Sequence, residues 1–313
     1  MNKWFRKGNA RRFHRVDMPI RYFIVPRSPI RNREIYATGA DYFPASLVSK
    51  IEARKNFTIQ SVGRIQEQNA LLTEIFEEIT QYIEFFGECA RSISLGQNPR
   101  KDPSYWMRVK EHQQGFKQAV RIQASSPKTF QYLQMIEDKY LTFLTRIVES
   151  INQSTPTHFY VSGHLPVGFK VDEIVSTFQE PRFEKIPLVQ AILNLTKFMD
   201  AYFEIYRQIN DDNYLKQFPQ DWPLREANTS ASGLAVHMDK RYDLYSRVDI
   251  FLYFEEHDQV LPFEGTVVDI RTDERKQMER IAINFEFPDG KNQDFLQQEI
   301  QKQEVKECMK IAL

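Results

Sequence analysis

Two short segments carry side chains whose types and spacing suit one kind of ligand. In Arg11-Arg12-Phe13-His14-Arg15 the first and last arginines stand in an RxxxR spacing. In Asn228-Thr229-Ser230-Ala231-Ser232-Gly233 the asparagine, Ser230 and Gly233 fit [D/N]xSxxG. A guanidinium can fork onto phosphate oxygens and can also pair with the O6 and N7 edge of guanine; a lysine ammonium does only the first well. The segment ahead of Asp17 holds Lys3, Arg6, Lys7, Arg11, Arg12 and Arg15 and no acidic residue, with Gly8 and Asn9 inside it. It reads as a flexible cationic arm able to close over an anion. The second segment supplies neutral polarity. Asn228 offers an amide, Ser230 a hydroxyl, and Gly233 a position without Cβ where backbone can turn or approach a ligand.

Either segment alone is weak, because basic termini and Ser-Gly turns are common. Together and in this order they resemble the PilZ family of bacterial cyclic di-GMP receptors. That resemblance implies a small antiparallel β-barrel and a ligand that is a dianion with two guanine bases. It implies contacts from Arg11, Arg12, Arg15, Asn228, Ser230 and Gly233, with Arg6, Lys7, His14 and Ser232 as further candidates. It also implies a second-messenger receptor with no cofactor beyond that ligand, bound singly or as a stacked pair. The family pattern is departed from twice: Ser246 and Ala282 stand where glycines are common. Neither lies in the ligand motifs, so local turn geometry is in question more than binding.

Composition narrows the alternatives. The 313 residues contain 42 Lys plus Arg and 42 Asp plus Glu, so no global field draws nucleic acid. The asymmetry is local, with ten basic residues through Arg33 against Asp17 alone. DNA or RNA is therefore not the expected partner. Cys89 and Cys308 are the only cysteines, which excludes a disulfide framework and a cysteine zinc site. No run approaches the roughly 20 apolar residues of a membrane span, and the basic N-terminus lacks the apolar core of a signal peptide. A cytoplasmic location is expected. An enzyme is not: the chain has no Walker-type loop, GxGxxG, GxSxG or HExxH. The six histidines (His14, His112, His158, His164, His237 and His257) show no ligand spacing.

The elements that must position the two motifs differ along the chain. Pro19 to Val25 reads as a strand directly after the arginines. From about 45 to 215 the pattern is helical. Ile65, Leu72, Ile79 and Phe86 recur every seventh residue, with Ile75, Tyr82 and Cys89 between them. Leu133, Ile136, Tyr140, Phe143 and Ile147 form a second stripe, and Leu188, Ile192, Leu195, Met199, Tyr202, Tyr206 and Ile209 a third. Steps of three and four keep such side chains on one helix face. A further helix is predicted over 104–124 on Val109, Phe116 and Val120, and 155–187 reads as a long connection with room for short helical turns. Strands are then expected at 222–228, 234–237, 248–254, 265–270 and 281–287, with a last helix from Asp294.

The expected fold is α+β: a PilZ-like antiparallel barrel interrupted by an all-α bundle or coiled-coil insertion. The arm and first strand occupy 1–40, the helical insertion 41–216, and the remaining barrel with its C-terminal helix 217–313. The insertion is expected to form homo-oligomers or recruit a downstream protein, and a closed arm to alter those contacts. An adaptor that binds no nucleotide and acts by protein contacts on pilus or flagellar machinery is the alternative. The process served, whether motility, biofilm adhesion, exopolysaccharide or virulence, is not written in the residues.

Overall fold

A computed structural model describes residues 15–27, 29–161, 163–286 and 290–311. By internal contacts the chain divides into two compact units. One holds the first strand and everything from Leu215 on; the other is Pro29–Tyr214.

The first unit is the antiparallel barrel. Its strands are β1 (Val16–Pro26), β2 (Leu224–Ser230), β3 (Gly233–Met238), β4 (Arg247–Phe254), β5 (Gln259–Asp273) and β6 (Met278–Glu286). They close in the order β1-β2-β3-β6-β5-β4, every pair antiparallel. Closure depends on β1, which pairs with β2 through Arg21 and with β4 from Arg21 onward. Alternation makes this possible: Val16, Met18, Ile20, Tyr22 and Ile24 are buried, and Val248, Ile250, Leu252 and Phe254 answer them on β4. Closing the sheet leaves no strand edge open between β1 and β4.

Two departures from ideal strands bend the barrel. The β5–β6 register shifts between Val267 and Asp269, the mark of a bulge. Ala282 pairs with Asp269 at this bulge, so the family glycine's place is taken by a small residue. A Cβ on Gly265 would lie 2.7 Å from both Ile250 Cδ1 and Ile283 Cγ2, so only glycine lets these strands approach as they do. Ser246 precedes β4, and the backbone around it is anchored by Ser246 N donating to Asp243 O and Val267 N donating to Ser246 O. Trp222 is buried and stacked on Phe23 with ring centroids 5.6 Å apart, on the face of β1 opposite to Tyr22 and Ile24, its indole N–H donating to Leu215 O at 2.6 Å. A C-terminal helix, α7 (Lys291–Ile311), buries Leu296 and Ile300 against this unit.

The second unit is helical and lies in sequence between β1 and β2. Its helices are α1 (Ala45–Gly63), α2 (Asn69–Ser94), α3 (Tyr105–His112), α4 (Pro127–Gln153), α5 (Lys170–Phe178) and α6 (Pro187–Tyr214). The heptad stripes meet one another inside the unit. Ile75, Ile79, Phe86, Leu133, Ile136, Tyr140, Phe143, Ile147, Leu195, Met199 and Tyr206 are all fully buried. Phe143 stacks on Phe203 at 4.1 Å, and Phe86 meets Phe203 edge-on at 4.7 Å. Gly87 lets α2 and α6 touch, because a Cβ there would lie 2.5 Å from the Tyr202 ring.

Three helical expectations are corrected. Ile65 opens the first stripe in sequence but falls in the break between α1 and α2, where Gln68 takes φ 54°. The helix expected over 104–124 ends at His112, because Gly115 turns the chain with φ +78° and a short 3₁₀ segment follows at Lys117–Ile122. Val120 is consequently exposed, and Ala119 and Ile122 are buried in its place. The 155–187 connection contains α5, a nine-residue helix held by Asp172, whose Oδ2 accepts from Phe169 N at 3.3 Å and which pairs with Lys139 Nζ at 2.6 Å. Among the described residues no helix is long and apolar enough to cross a membrane.

Candidate functional site

The β1–β2 pair sets the geometry of the candidate site. Thr229 and Ser230 are both buried, while Asn228, between buried Ala227 and Thr229, is half-buried at the surface. In register, Val16 stands opposite Thr229 and Asp17 opposite Asn228. This brings the end of the arginine motif onto the start of the second one. Arg15 Nη1 donates to Asn228 Oδ1 at 3.3 Å, a contact between residues 213 apart in sequence. Asn228 Nδ2 donates to Asp17 Oδ1 at 2.7 Å. Arg15, Asn228 and Asp17 thus form a polar chain across two strands.

The turn after Asn228 is held by its own side chains. Ser230 is buried, its Oγ donating to Gly233 O at 3.3 Å and accepting from Ser232 N at 3.4 Å. Ser232 Oγ lies 3.3 Å from Ser230 Oγ, and Ser232 O accepts from Phe285 N at 3.0 Å. Gly233 begins β3 so close to β6 that a Cβ would sit 2.4 Å from Ile283 O. Ser230 and Gly233 therefore shape the β2–β3 turn, and Ser232 is only half-buried beside it. A hydroxyl, an amide and a guanidinium on one rim can meet both an anion and a base edge.

Of the residues singled out in sequence, Arg15, Asn228, Ser230, Ser232 and Gly233 come together here. Arg6, Lys7, Arg11, Arg12 and His14 lie outside the described residues. Asp17 was missed. Its signal was present: a carboxylate at an outward position of β1, two residues past the last motif arginine, between buried Val16 and Met18.

A second polar grouping sits elsewhere on the barrel unit. Glu256, His257 and Glu299 offer ligand atoms within 4.8 Å of one another. His257 Nε2 lies 3.2 Å from Glu299 Oε1, while Lys302 pairs with Glu299 and Lys306 with Glu256. These ion pairs line a cavity of about 200 Å³ with Met18, Ile20 and Arg21, and Arg21 pairs with Glu255. With lysines already on both carboxylates, the arrangement ties α7 to the barrel.

The strongly perturbed groups are in the helical unit and are structural. His112 stacks on Tyr82 at 3.7 Å with Nδ1 2.9 Å from the Tyr140 hydroxyl, and burial with nearby Arg108 pulls it down to about 4. Burial pushes the Cys89 thiol up to about 12, leaving an inert small hydrophobe. Burial also raises Asp200, against the opposing pull of Lys139 at 2.7 Å.

No curated protein and no solved structure matches the chain. Residues 210–302 match the model of one family, described as PilZ domain. That span takes in β2 to β6 and the first half of α7, and β1 completes the same barrel from the other side of the helical unit. The family match and the six-stranded barrel agree: the chain contains a PilZ domain, with a helical region inserted in sequence between its first and second strands.

Proposed function

We propose that the protein is a cyclic di-GMP receptor, whose basic arm closes on the ligand at the β1–β2 rim and thereby alters the contacts of the helical unit. A PilZ domain is a binding domain, either a cyclic di-GMP receptor or an adaptor. The observation that favours the receptor is the Arg15–Asn228 hydrogen bond, which joins the two motifs into one polar rim. Guanidinium and amide groups meet there without a nucleophile and base, a pattern for recognition rather than turnover. Closing an arm over a ligand would couple small-molecule binding to protein contacts.

Titration calorimetry with cyclic di-GMP tests this reading. The unmodified protein is expected to bind in the micromolar range or tighter. Arg15→Ala should lose on the order of 1–3 kcal/mol of affinity, about ten- to a hundredfold, through loss of a bidentate contact. Absence of heat, or unchanged binding by Arg15→Ala and Arg11→Ala, overturns the receptor reading.

The adaptor reading has its own support. Trp106 and Met107 on α3, 51% and 66% exposed, are an adjacent apolar pair that a protein partner could cover. It predicts partner capture that is lost in Trp106→Ala and indifferent to cyclic di-GMP. Light scattering over a concentration series, with and without ligand, tests the homo-oligomer; a strict monomer in both conditions removes it.

A further inference from the structure

We infer that Asp17, which belongs to neither motif, is a positioning residue that decides which face of the Asn228 amide the site presents; this rests on the receptor reading above. An asparagine side chain has two faces, a carbonyl that accepts and an NH₂ that donates. Left alone at a half-buried rim it can rotate and offer either. Its two neighbours here each tolerate only one. An ionised carboxylate can only accept, and a guanidinium can only donate.

The barrel places these neighbours on opposite sides of the amide. β1 alternates strictly at this point, with Val16 and Met18 inward and Asp17 outward. The antiparallel register sets the Asp17 Cα against the Asn228 Cα, the closest cross-strand relation available. Asp17 Oδ1 takes the Nδ2 proton at 2.7 Å, and Arg15 Nη1 donates to Oδ1 at 3.3 Å. Both choices agree on one orientation: NH₂ toward Asp17, carbonyl toward Arg15. The carbonyl keeps a second lone pair, and that is what the rim offers a ligand.

The orientation has a consequence for the base that can be read. Guanine carries N–H donors on the edge that adenine fills with an acceptor nitrogen, and the guanine N2 amino group is absent from adenine. A rim that presents a fixed carbonyl rewards the first and repels the second. A rotated amide would lose that distinction. Asp17 therefore acts on selectivity for guanine, through Asn228, with no need to touch the ligand.

The test pairs Asp17→Asn with Asn228→Asp. In the otherwise unmodified protein, Asp17→Asn replaces a pure acceptor by a group that can also donate; cyclic di-GMP binding should fall on the order of tenfold, with its preference over cyclic di-AMP reduced. In Asn228→Asp two carboxylates face each other across the strand pair, so there Asp17→Asn should strengthen binding instead. A merely structural role for Asp17 would give the same sign in both backgrounds, and that result overturns the inference. The ligand-free protein supplies an independent arm. The Asn228 side-chain NH₂ signals in ¹⁵N-correlated spectra should shift in Asp17→Asn, and unchanged signals also overturn it. If the unmodified protein fails to bind cyclic di-GMP at all, the receptor reading falls, while the amide signals still decide whether Asp17 sets the orientation.

Discussion

The helical unit and the barrel differ in where their most conspicuous polar groupings lie. The helical unit draws them inside and closes them on each other: His112 with Tyr140 and Tyr82, Lys139 between Asp172 and Asp200, the Ser150 hydroxyl 2.8 Å from that of Tyr206. The barrel also buries Thr229, Ser230 and Glu279, but it sets Arg15, Asp17 and Asn228 together at a partly exposed rim. The largest electrostatic perturbations lie in the first region and the candidate site in the second. Perturbation follows desolvation, and a buried group that is fully partnered is perturbed without being functional. Accessibility with convergent polar types is therefore the criterion that singles out the candidate site.

That contrast can be broken most directly in the helical core. Phe143→Ala removes a ring stacked at 4.1 Å on Phe203 and fully buried. It should destabilise the protein by about 3–5 kcal/mol in chemical denaturation. A loss under about 1 kcal/mol would mean that the core is far looser than its stacking implies.

On the barrel side, Gly233→Val drives a side chain into Ile283 O, which a Cβ alone would already meet at 2.4 Å. The β3–β6 pair must give, at an expected cost of roughly 1–3 kcal/mol. Ligand affinity should fall with it, because Ser230 bonds to the Gly233 carbonyl. Stability lost with affinity intact would separate the turn from the site.

His112 sharpens the comparison through pH. Its folded value is depressed from 6.5 to about 4, so the unfolded chain binds the proton first. The fold is therefore favoured above pH 6.5 and loses stability as pH falls from 6.5 toward 4. That loss should be on the order of 1–2 kcal/mol after allowing for relaxation. Urea midpoints for the unmodified protein and His112→Phe, compared across this range, should converge as pH falls. Parallel curves would show that the imidazole is not the titrating group. The smallest effect belongs to Ile65→Ala, under about 1 kcal/mol, because this residue is only half-buried in the α1–α2 break. A core-sized loss there would restore it to the stripe.

What was legible in the sequence was what short-range pattern encodes. β-prone runs at 19–25 and 248–254 and clean alternation at 281–287 marked strands, and three-four spacing marked α2, α4 and α6. Gly115 was visible as a glycine, but its role as a helix stop was not. An isolated glycine in an apolar pattern can be tolerated, and only the approach of Glu137, whose Oε1 would lie 1.7 Å from an added Cβ, makes the turn obligatory. The two ligand motifs were legible as residue types for the same local reason. Asp17 was not, because an outward carboxylate on a strand looks like any solvated charge until its cross-strand partner is known.

By itself the sequence determined the element types, the motif residues and the electrostatic arm, since periodicity and composition are local properties of a chain. Only the tertiary structure decided that β1 closes the barrel on β2 and β4, that Arg15 meets Asn228 across 213 residues, and that Asp17 holds the amide between them. Register is the reason. It is chosen by burying one whole face of each strand at once, and a slip of one residue would turn Asp17 inward and part it from Asn228.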